Sequence, residues 1–282
     1  MKNFHYHRRK WTNRIFVFLC GGACLVSVLV LGLLLGYVVY KGISAIDWAF
    51  FTQPPTPVGE PGGGMANAII GTLILISIAS VIGIPIGIAT GLYLAEYGRG
   101  RFADSIRYLT DVLNGLPSIV MGLFAYALIV IPMGGFSGWS GGVALSLLMI
   151  PVIVRTTEEV VKLVPNSIRE GALALGIPHW KVILRIVVST AKGGIVTAVM
   201  LAVARIMGET APLLFTAFGN QFWQTNPSEP MAAMTLQIFT YAISPYDDWH
   251  AKAWAGALVL VMMSLLFNIT ARFFTMRGLK KM

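Results

Sequence analysis

The longest stretch without a charged residue constrains the fold of this chain most. Residues 112–154 contain no Asp, Glu, Lys or Arg, and as a single helix they would extend about 65 Å. The hydrocarbon core of a bilayer is only about 30 Å thick. The stretch must therefore turn back once, and the sequence GGFSGWSGG at residues 134–142 is the predicted turn.

Six apolar segments of this kind are predicted to cross a membrane as helices. A chain in which 56% of the residues are hydrophobic and 12% are charged is too apolar for a soluble domain of this size. The sequence therefore predicts an all-α membrane protein with six transmembrane helices. The segments, each bounded by charges or by Gly and Pro, are Ile15–Tyr40, a helix within Met65–Ala95, a helix within Val112–Met133, about Val143–Val161, Gly193–Phe218 and Ala253–Ala271.

Basic residues are distributed unequally between the two predicted sides of the membrane. Both termini, the loop after the second segment and the connection between the fourth and fifth segments hold 18 of the 21 Lys and Arg residues. By the positive-inside rule these parts, and so both termini, are cytoplasmic. The net charge of +9 then marks sidedness and not nucleic-acid binding. The predicted divisions are a tail at 1–14, a first transmembrane helix at 15–40, an extracytoplasmic loop at 41–64, a core at 65–274 with a cytoplasmic segment at 164–190, and a tail at 275–282.

One pair of charges lies inside a predicted span. Arg205 and Glu209 are the only charged residues between Lys192 and Glu229. An arginine near the bilayer centre costs about 2.5–3.5 kcal/mol on insertion scales, so such residues usually face a polar cavity, a partner or a substrate path. Spacing by four places both side chains on one helical face. The alternative is an ion pair that locks the fifth span to a neighbouring helix without touching substrate.

Other residues of the spans divide between packing and candidate pathway roles. Gly83, Gly87 and Gly91 repeat every fourth residue, a pattern typical of close helix packing. Pro117 predicts a kink, and the polar residues beside it, Asn114 and Ser118, are candidates for lining a constriction. Thr210, which follows Glu209, is also a candidate pathway residue.

Aromatic residues gather in the two predicted outer loops. The loop at 41–64 contains Trp48, Phe50 and Phe51 before a Pro- and Gly-rich stretch, and the loop at about 219–250 carries acidic residues and no Lys or Arg. Aromatic residues are enriched where helices leave the membrane. An interfacial aromatic belt and a contact surface for an extracytoplasmic partner both remain open.

The cytoplasmic segment 164–190 is not a polar linker. Ser167 and Glu170 have the spacing of a capping box, and the alanines and leucines at 172–175 favour a helix. Gly176 and Pro178 then end it. A short helix that projects from a membrane bundle in this way is suited to docking on another protein.

The sequence at 170–176, EGALALG, with Ile186 ten residues later, resembles the EAA loop of importer-type ATP-binding-cassette (ABC) permeases. In that family the loop forms the coupling helix that docks on the ATPase subunit. The resemblance implies this role for Glu170, Gly171, Ala172, Gly176 and Pro178. Gly171 departs from the family's alanine and should loosen the helix by up to about 1 kcal/mol.

Four further strings narrow the resemblance. Read in order, they are similar to the A-type permease subunits of bacterial phosphate-specific import systems, and the likeness covers nearly the whole chain beyond about residue 65. It implies the type I ABC importer permease (MetI-like) fold with both termini inside, in the bacterial inner membrane, and phosphate as the substrate. The strings are GLPSIVMGLF at 115–124, PVIVRTTEE at 151–159, ARIMGETAPLLFT at 204–216 and GNQFW at 219–223.

The resemblance also implies an assembly. Its expected members are a second, C-type permease subunit, two ATPase subunits at the 164–180 loop, an extracytoplasmic phosphate-binding protein and the surrounding membrane lipids. The chain contains no Gly-x4-Gly-Lys-Ser/Thr loop, so we expect ATP to bind elsewhere and expect no cofactor in this chain. All four histidines lie outside the spans and no aspartate lies within one, so we expect neither a metal site nor catalysis here. Import of another oxyanion or small solute remains the alternative.

Overall fold

The computed structural model describes the backbone of residues 2–57, 60 and 62–279 and the side chains of residues 6, 8–57, 60 and 62–273. This part of the chain is helical, with one isolated bridge between Phe218 and Met231 and no strand. The end of the predicted tail, residues 280–282, lies outside the described residues. The helices are α1 (Lys2–Gly42), α2 (Trp48–Thr52), α3 (Ala66–Glu96), α4 (Arg101–Gly115), α5 (Ser118–Met133), α6 (Gly138–Lys162), α7 (Asn166–Ala174), α8 (His179–Met207), α9 (Ala211–Leu214), α10 (Met234–Ala242) and α11 (Asp247–Leu279).

Five of these helices, α1, α3, α6, α8 and α11, are long and apolar enough to cross a membrane. The helices α4 and α5 form a sixth span only if the two are treated as one bent segment, because they meet at 108°. The helix predicted within Val112–Met133 begins only at Ser118, because the break at Pro117 separates it from α4. Pro117 ends the first helix instead of kinking it, because Leu116 before it is extended, with ψ 139°.

The fifth predicted span, Gly193–Phe218, is displaced in the structure. Its helix begins at His179, passes through a π-helical stretch at Val182–Val187 and ends at Met207. Gly208 follows as the C-cap. Arg205 therefore lies in the last turn of α8, and Glu209 lies just beyond the helix.

The glycine face predicted in α3 is confirmed as a packing face against α6. A Cβ atom built on Gly87 would lie 2.7 Å from Cβ of Ile153, and one built on Gly91 would lie 2.7 Å from Cβ of Thr157. Such distances are too short for a side chain, so only glycine lets the two helices approach this closely. This contact, the glycine seam, places the carboxyl-terminal ends of α3 and α6 next to each other. Both ends are expected to be cytoplasmic.

The chain directly beyond α9 is irregular, and its two buried residues have paired backbone carbonyls. Thr216 and Ala217 are fully buried. The carbonyl of Thr216 accepts from the Ser137 amide at 3.1 Å, and the Met231 amide donates to the carbonyl of Ala217 at 3.2 Å. Irregular backbone at membrane depth is tolerated only when protein or a cavity surrounds it. This segment lies beside the candidate site and closes the core behind it.

The outer-loop aromatics divide between core and surface. Phe50, on α2, is buried, whereas Trp48 on the same short helix is exposed. Tyr241 is also buried and lies 4.6 Å, centroid to centroid, from the ring of Trp249. Part of the predicted belt is therefore core.

Candidate functional site

Arg205 and Glu209 lie at the end of α8 with their side chains on the same side. The Arg205 Nε and Glu209 Oε1 atoms are 4.0 Å apart, and the two side chains are 41% and 18% exposed. Their neighbours Ile206 and Met207 are buried in the main core cluster, so the helix turns its apolar side inward. The pair lies within one segment and joins no second helix in the described part of the chain.

The guanidinium of Arg205 is uncommitted. Within the described residues its Glu209 contact is its only ion pair, and its N–H groups donate no hydrogen bond. Arg107 on α4 is the opposite case: it donates to Glu158 Oε1 at 2.7 Å, to Asp104, and to the carbonyls of Leu94 and Gly98. Arg205 therefore has donors available for an anion, whereas Arg107 serves structure.

Thr210 and the end of α8 are held by neighbouring elements. The backbone carbonyl of Glu209 accepts a hydrogen bond from the Thr235 hydroxyl at 2.9 Å. Thr210 is the N-cap residue of α9. A Cβ on Gly122 would lie 2.6 Å from Cα of Pro212, so α5 and α9 pack closely. These contacts hold the backbone around Glu209, while none of them involves the charged groups of Arg205 and Glu209.

Asn114 and Ser118 flank the break between α4 and α5. Between them, Leu116 packs, partly buried, against the core cluster that contains Ile206 and Met207. The break therefore borders the same core cluster as the end of α8. No side-chain contact joins Asn114 or Ser118 to Arg205 within the described residues.

The predicted coupling segment, residues 164–190, forms the expected helix at Asn166–Ala174 and the turn after it. Glu170 and Gly171 are exposed, and a Cβ on Gly171 would meet nothing within 4 Å. Ala172 is buried in a cluster with Val161, Val182 and four other residues. Gly176 has φ +75°, a left-handed conformation that glycine adopts without strain, and Pro178 starts the next helix. The segment thus presents one face outward and anchors the other.

The predicted capping box is wrong. The N-cap of α7 is Pro165 with no side-chain cap, and Ser167 is already the second helical residue. Pro165 has φ −59° and ψ 140° directly before the helix, so the helix boundary lies two residues earlier than a cap at Ser167 would place it.

Two acidic residues are buried in ion pairs that the sequence did not predict. The side chain of Glu158 is 2% exposed, and its Oε1 atom is 2.7 Å from Arg107 Nε and 2.6 Å from Lys162 Nζ. That of Glu96 is 4% exposed and lies 2.6 Å from Nη2 of Arg169. The spacing of four between Glu158 and Lys162 could have predicted their ion pair. No residue near Glu96 in the sequence indicates that its partner is Arg169, 73 positions away. No group of three or more His, Cys, Asp or Glu side chains placed to hold a metal ion occurs in the described part of the chain.

Comparison with known proteins identifies the family. Residues 83–277 match the family of binding-protein-dependent transport system inner membrane components. The phosphate transport system permease protein PstA of Yersinia pestis is 47% identical over 94% of this chain and 90% of its own length. That of Haemophilus influenzae is 46% identical over 97% of both chains. A probable PstA of Methanocaldococcus jannaschii is 35% identical over 95% of both.

A solved structure supports the fold independently. A chain of the MetNI methionine ABC transporter, in an inward-facing conformation, superposes with a TM-score of 0.61 and 15% identity, covering 76% of this chain and 96% of that one. At this identity the likeness concerns the fold alone, and it confirms the MetI-like permease fold. The chain is a multi-pass inner-membrane component of an ABC transporter and belongs to the family of PstA phosphate transport permeases.

Proposed function

We propose that this chain is a permease subunit of an ATP-driven inorganic phosphate importer and forms half of the translocation pathway. The observation that carries the proposal is the uncommitted guanidinium of Arg205, exposed at the end of a helix whose other face is buried. A guanidinium is a planar fork of donors that matches a phosphate and stays charged at any relevant pH. The names of the relatives support phosphate as the anion.

We infer that Glu209 favours release of the anion from the site. A carboxylate 4.0 Å from Arg205 Nε keeps the empty site near neutral and competes with phosphate for the guanidinium. It also accepts a hydrogen bond from a protonated phosphate oxygen. Conduction requires binding that is favourable enough for entry and weak enough for exit, and a loose, half-exposed pair suits that requirement. Asn114, Ser118 and Thr210 are proposed to line the path nearby.

The remaining subunits are part of the proposal. Arg205 faces out of the single chain, so a second, C-type permease subunit is needed to enclose a path. Glu170 and Gly171 are exposed on α7 for docking of the ATPase, while Ala172 anchors the helix. ATP binds and is hydrolysed on two such partner subunits, with no cofactor in this chain. An extracytoplasmic phosphate-binding protein delivers the anion to the opposite side.

Replacing Arg205 with Gln tests the pathway role. In vesicles that contain the assembled complex, uptake of radiolabelled phosphate should be abolished, because Gln is polar but has neither the positive charge nor the fork of donors of Arg205. Arg155→Gln is the matched control, since Arg155 pairs at 2.9 Å with the exposed Glu159 and belongs to no proposed path. Normal phosphate uptake by an assembled Arg205→Gln complex would refute the role of Arg205.

The alternative substrate class is tested in the same vesicles. Unlabelled sulfate and molybdate should not compete with labelled phosphate if the site belongs to a phosphate importer. Uptake of sulfate or molybdate in preference to phosphate would favour the alternative, a related importer permease for another oxyanion.

A further inference from the structure

Arg169 uses its whole guanidinium inside the protein. Its Nε and Nη2 atoms donate to the carboxylate of Glu96, at 2.6 Å for the closest pair, and Nη2 also donates to the carbonyl of Val161 at 3.0 Å. Nη1 donates to the carbonyl of Val164 and, at 3.4 Å, to Asn166. All five N–H groups therefore have acceptors. The Arg169 side chain is only 16% exposed, so it is not presented to a docking partner as the adjacent Glu170 is.

These hydrogen bonds join three helices at one point. Arg169 belongs to α7, Glu96 is the last residue of α3, and Val161 lies in the last turn of α6. The side chain thus ties the coupling helix to the ends of the two helices that form the glycine seam. Because the planar fork is held by both the Glu96 carboxylate and the Val161 carbonyl, a shift of α7 against α3 pulls on these hydrogen bonds.

A second guanidinium continues the connection from the same end of α3. Arg107 donates to the carbonyls of Leu94 at 2.9 Å and Gly98 at 3.0 Å, on either side of Glu96. It belongs to α4, the helix that leads to the break beside Asn114. An unbroken series of packed or hydrogen-bonded groups therefore runs from the coupling helix to the break near the proposed phosphate path.

We propose that Arg169, held by Glu96, is a positioning residue that transmits displacement of the coupling helix to α3. The inference rests on the proposed function, because it presumes an ATPase that moves α7. A buried ion pair is weak evidence of a stabilising role, since apolar side chains of similar volume often stabilise as well. The Arg169–Glu96 pair lies between the docking helix α7 and the membrane helix α3, and this position gives the pair a mechanical role.

Glu96→Gln separates transmission from assembly. Glutamine keeps the size of the side chain but removes the charge, so the contact loosens while its packing remains. In vesicles containing the full complex, phosphate taken up per ATP hydrolysed should fall at least about tenfold. Glu159→Gln is the matched control, because it makes the same substitution near the end of α6 that carries Val161. The pair of Glu159 with Arg155 is exposed and confined to one helix, so this variant should leave the ratio unchanged. A purely structural role would lower the amount of complex and leave the ratio per complex unchanged.

Arg169→Lys is the second variant, in case Glu96→Gln reduces assembly. Lysine keeps a positive charge opposite Glu96 but has three donors in place of five and no planar fork, so it cannot replace all the hydrogen bonds of Arg169. Its uptake per ATP should fall about 3- to 10-fold. A ratio within twofold of the unchanged protein in whichever variant assembles would overturn the inference alone. If the complex without any substitution took up no phosphate, that result would refute the proposed function and the inference with it.

Discussion

Gly87→Ala should weaken the seam between α3 and α6, because the added methyl group has no room. It would lie 2.7 Å from Cβ and 2.8 Å from Cγ2 of Ile153, whereas non-bonded carbon atoms pack at about 3.5–4.0 Å. Ile153 is fully buried and branched at Cβ, so it cannot turn away. The two helices must therefore separate by roughly 1 Å.

The size of the effect is best measured against Gly171→Ala. A Cβ at Gly171 meets nothing within 4 Å, so that variant only gains the helix propensity of alanine, up to about 1 kcal/mol. Gly87→Ala gains the same propensity and adds the clash. The difference between the two variants isolates the overpacking, which is worth about 1–3 kcal/mol.

Thermal unfolding of the purified full-length protein in one detergent provides the measurement. A difference of 1 kcal/mol corresponds to roughly 2–4 °C for a protein of this size, so Gly87→Ala should unfold about 2–12 °C below Gly171→Ala. Gly83→Ala should fall between them, since its methyl group would lie 3.3 Å from the flexible sulfur of Met149. Equal midpoints for the Gly87 and Gly171 variants would show that α3 and α6 are not in contact at this distance.

Two further variants separate charges that serve stability from charges that serve transport. Arg205→Gln should change the free energy of unfolding by less than about 1 kcal/mol, because its ion pair is long, at 4.0 Å, and the arginine is 41% exposed. A loss above about 2 kcal/mol in thermal or denaturant unfolding would contradict the uncommitted guanidinium. Glu158→Gln should destabilise by about 3–5 kcal/mol, because it leaves Arg107 and Lys162 without their buried counter-charge. Full expression of Glu158→Gln with an unchanged unfolding midpoint would be evidence against that ion cluster.

Much of the fold was predictable because its signals are local. The apolar runs gave the helices, and the glycine spacing of α3 gave its packing face, since both follow from neighbouring residues on one helix. The helix, left-handed glycine and proline of the coupling segment are also encoded within a dozen residues. The function followed from four strings that resemble one family, with Arg205 and Glu209 marked by being charged among apolar neighbours.

Other features were not predictable because they depend on what the chain packs against. Hydropathy continues through Pro117 and past Met207, so it did not reveal the 108° break or the end of α8. The irregular segment after α9 is stable only because distant groups such as the Ser137 amide satisfy its carbonyls.

The sequence alone determined that this protein is a helical membrane permease, where its apolar segments lie and which charged pair is exceptional. The tertiary structure decided which charges are bound and which are free: Arg169 meets Glu96 across 73 positions, and Arg107 meets Glu158 across 51. A charge in a sequence does not specify its counter-ion, because pairing requires that two distant helix ends be brought within hydrogen-bonding distance. Arg205 is recognised as available only by comparison with Arg107 and Arg169, whose guanidinium groups each donate to several acceptors.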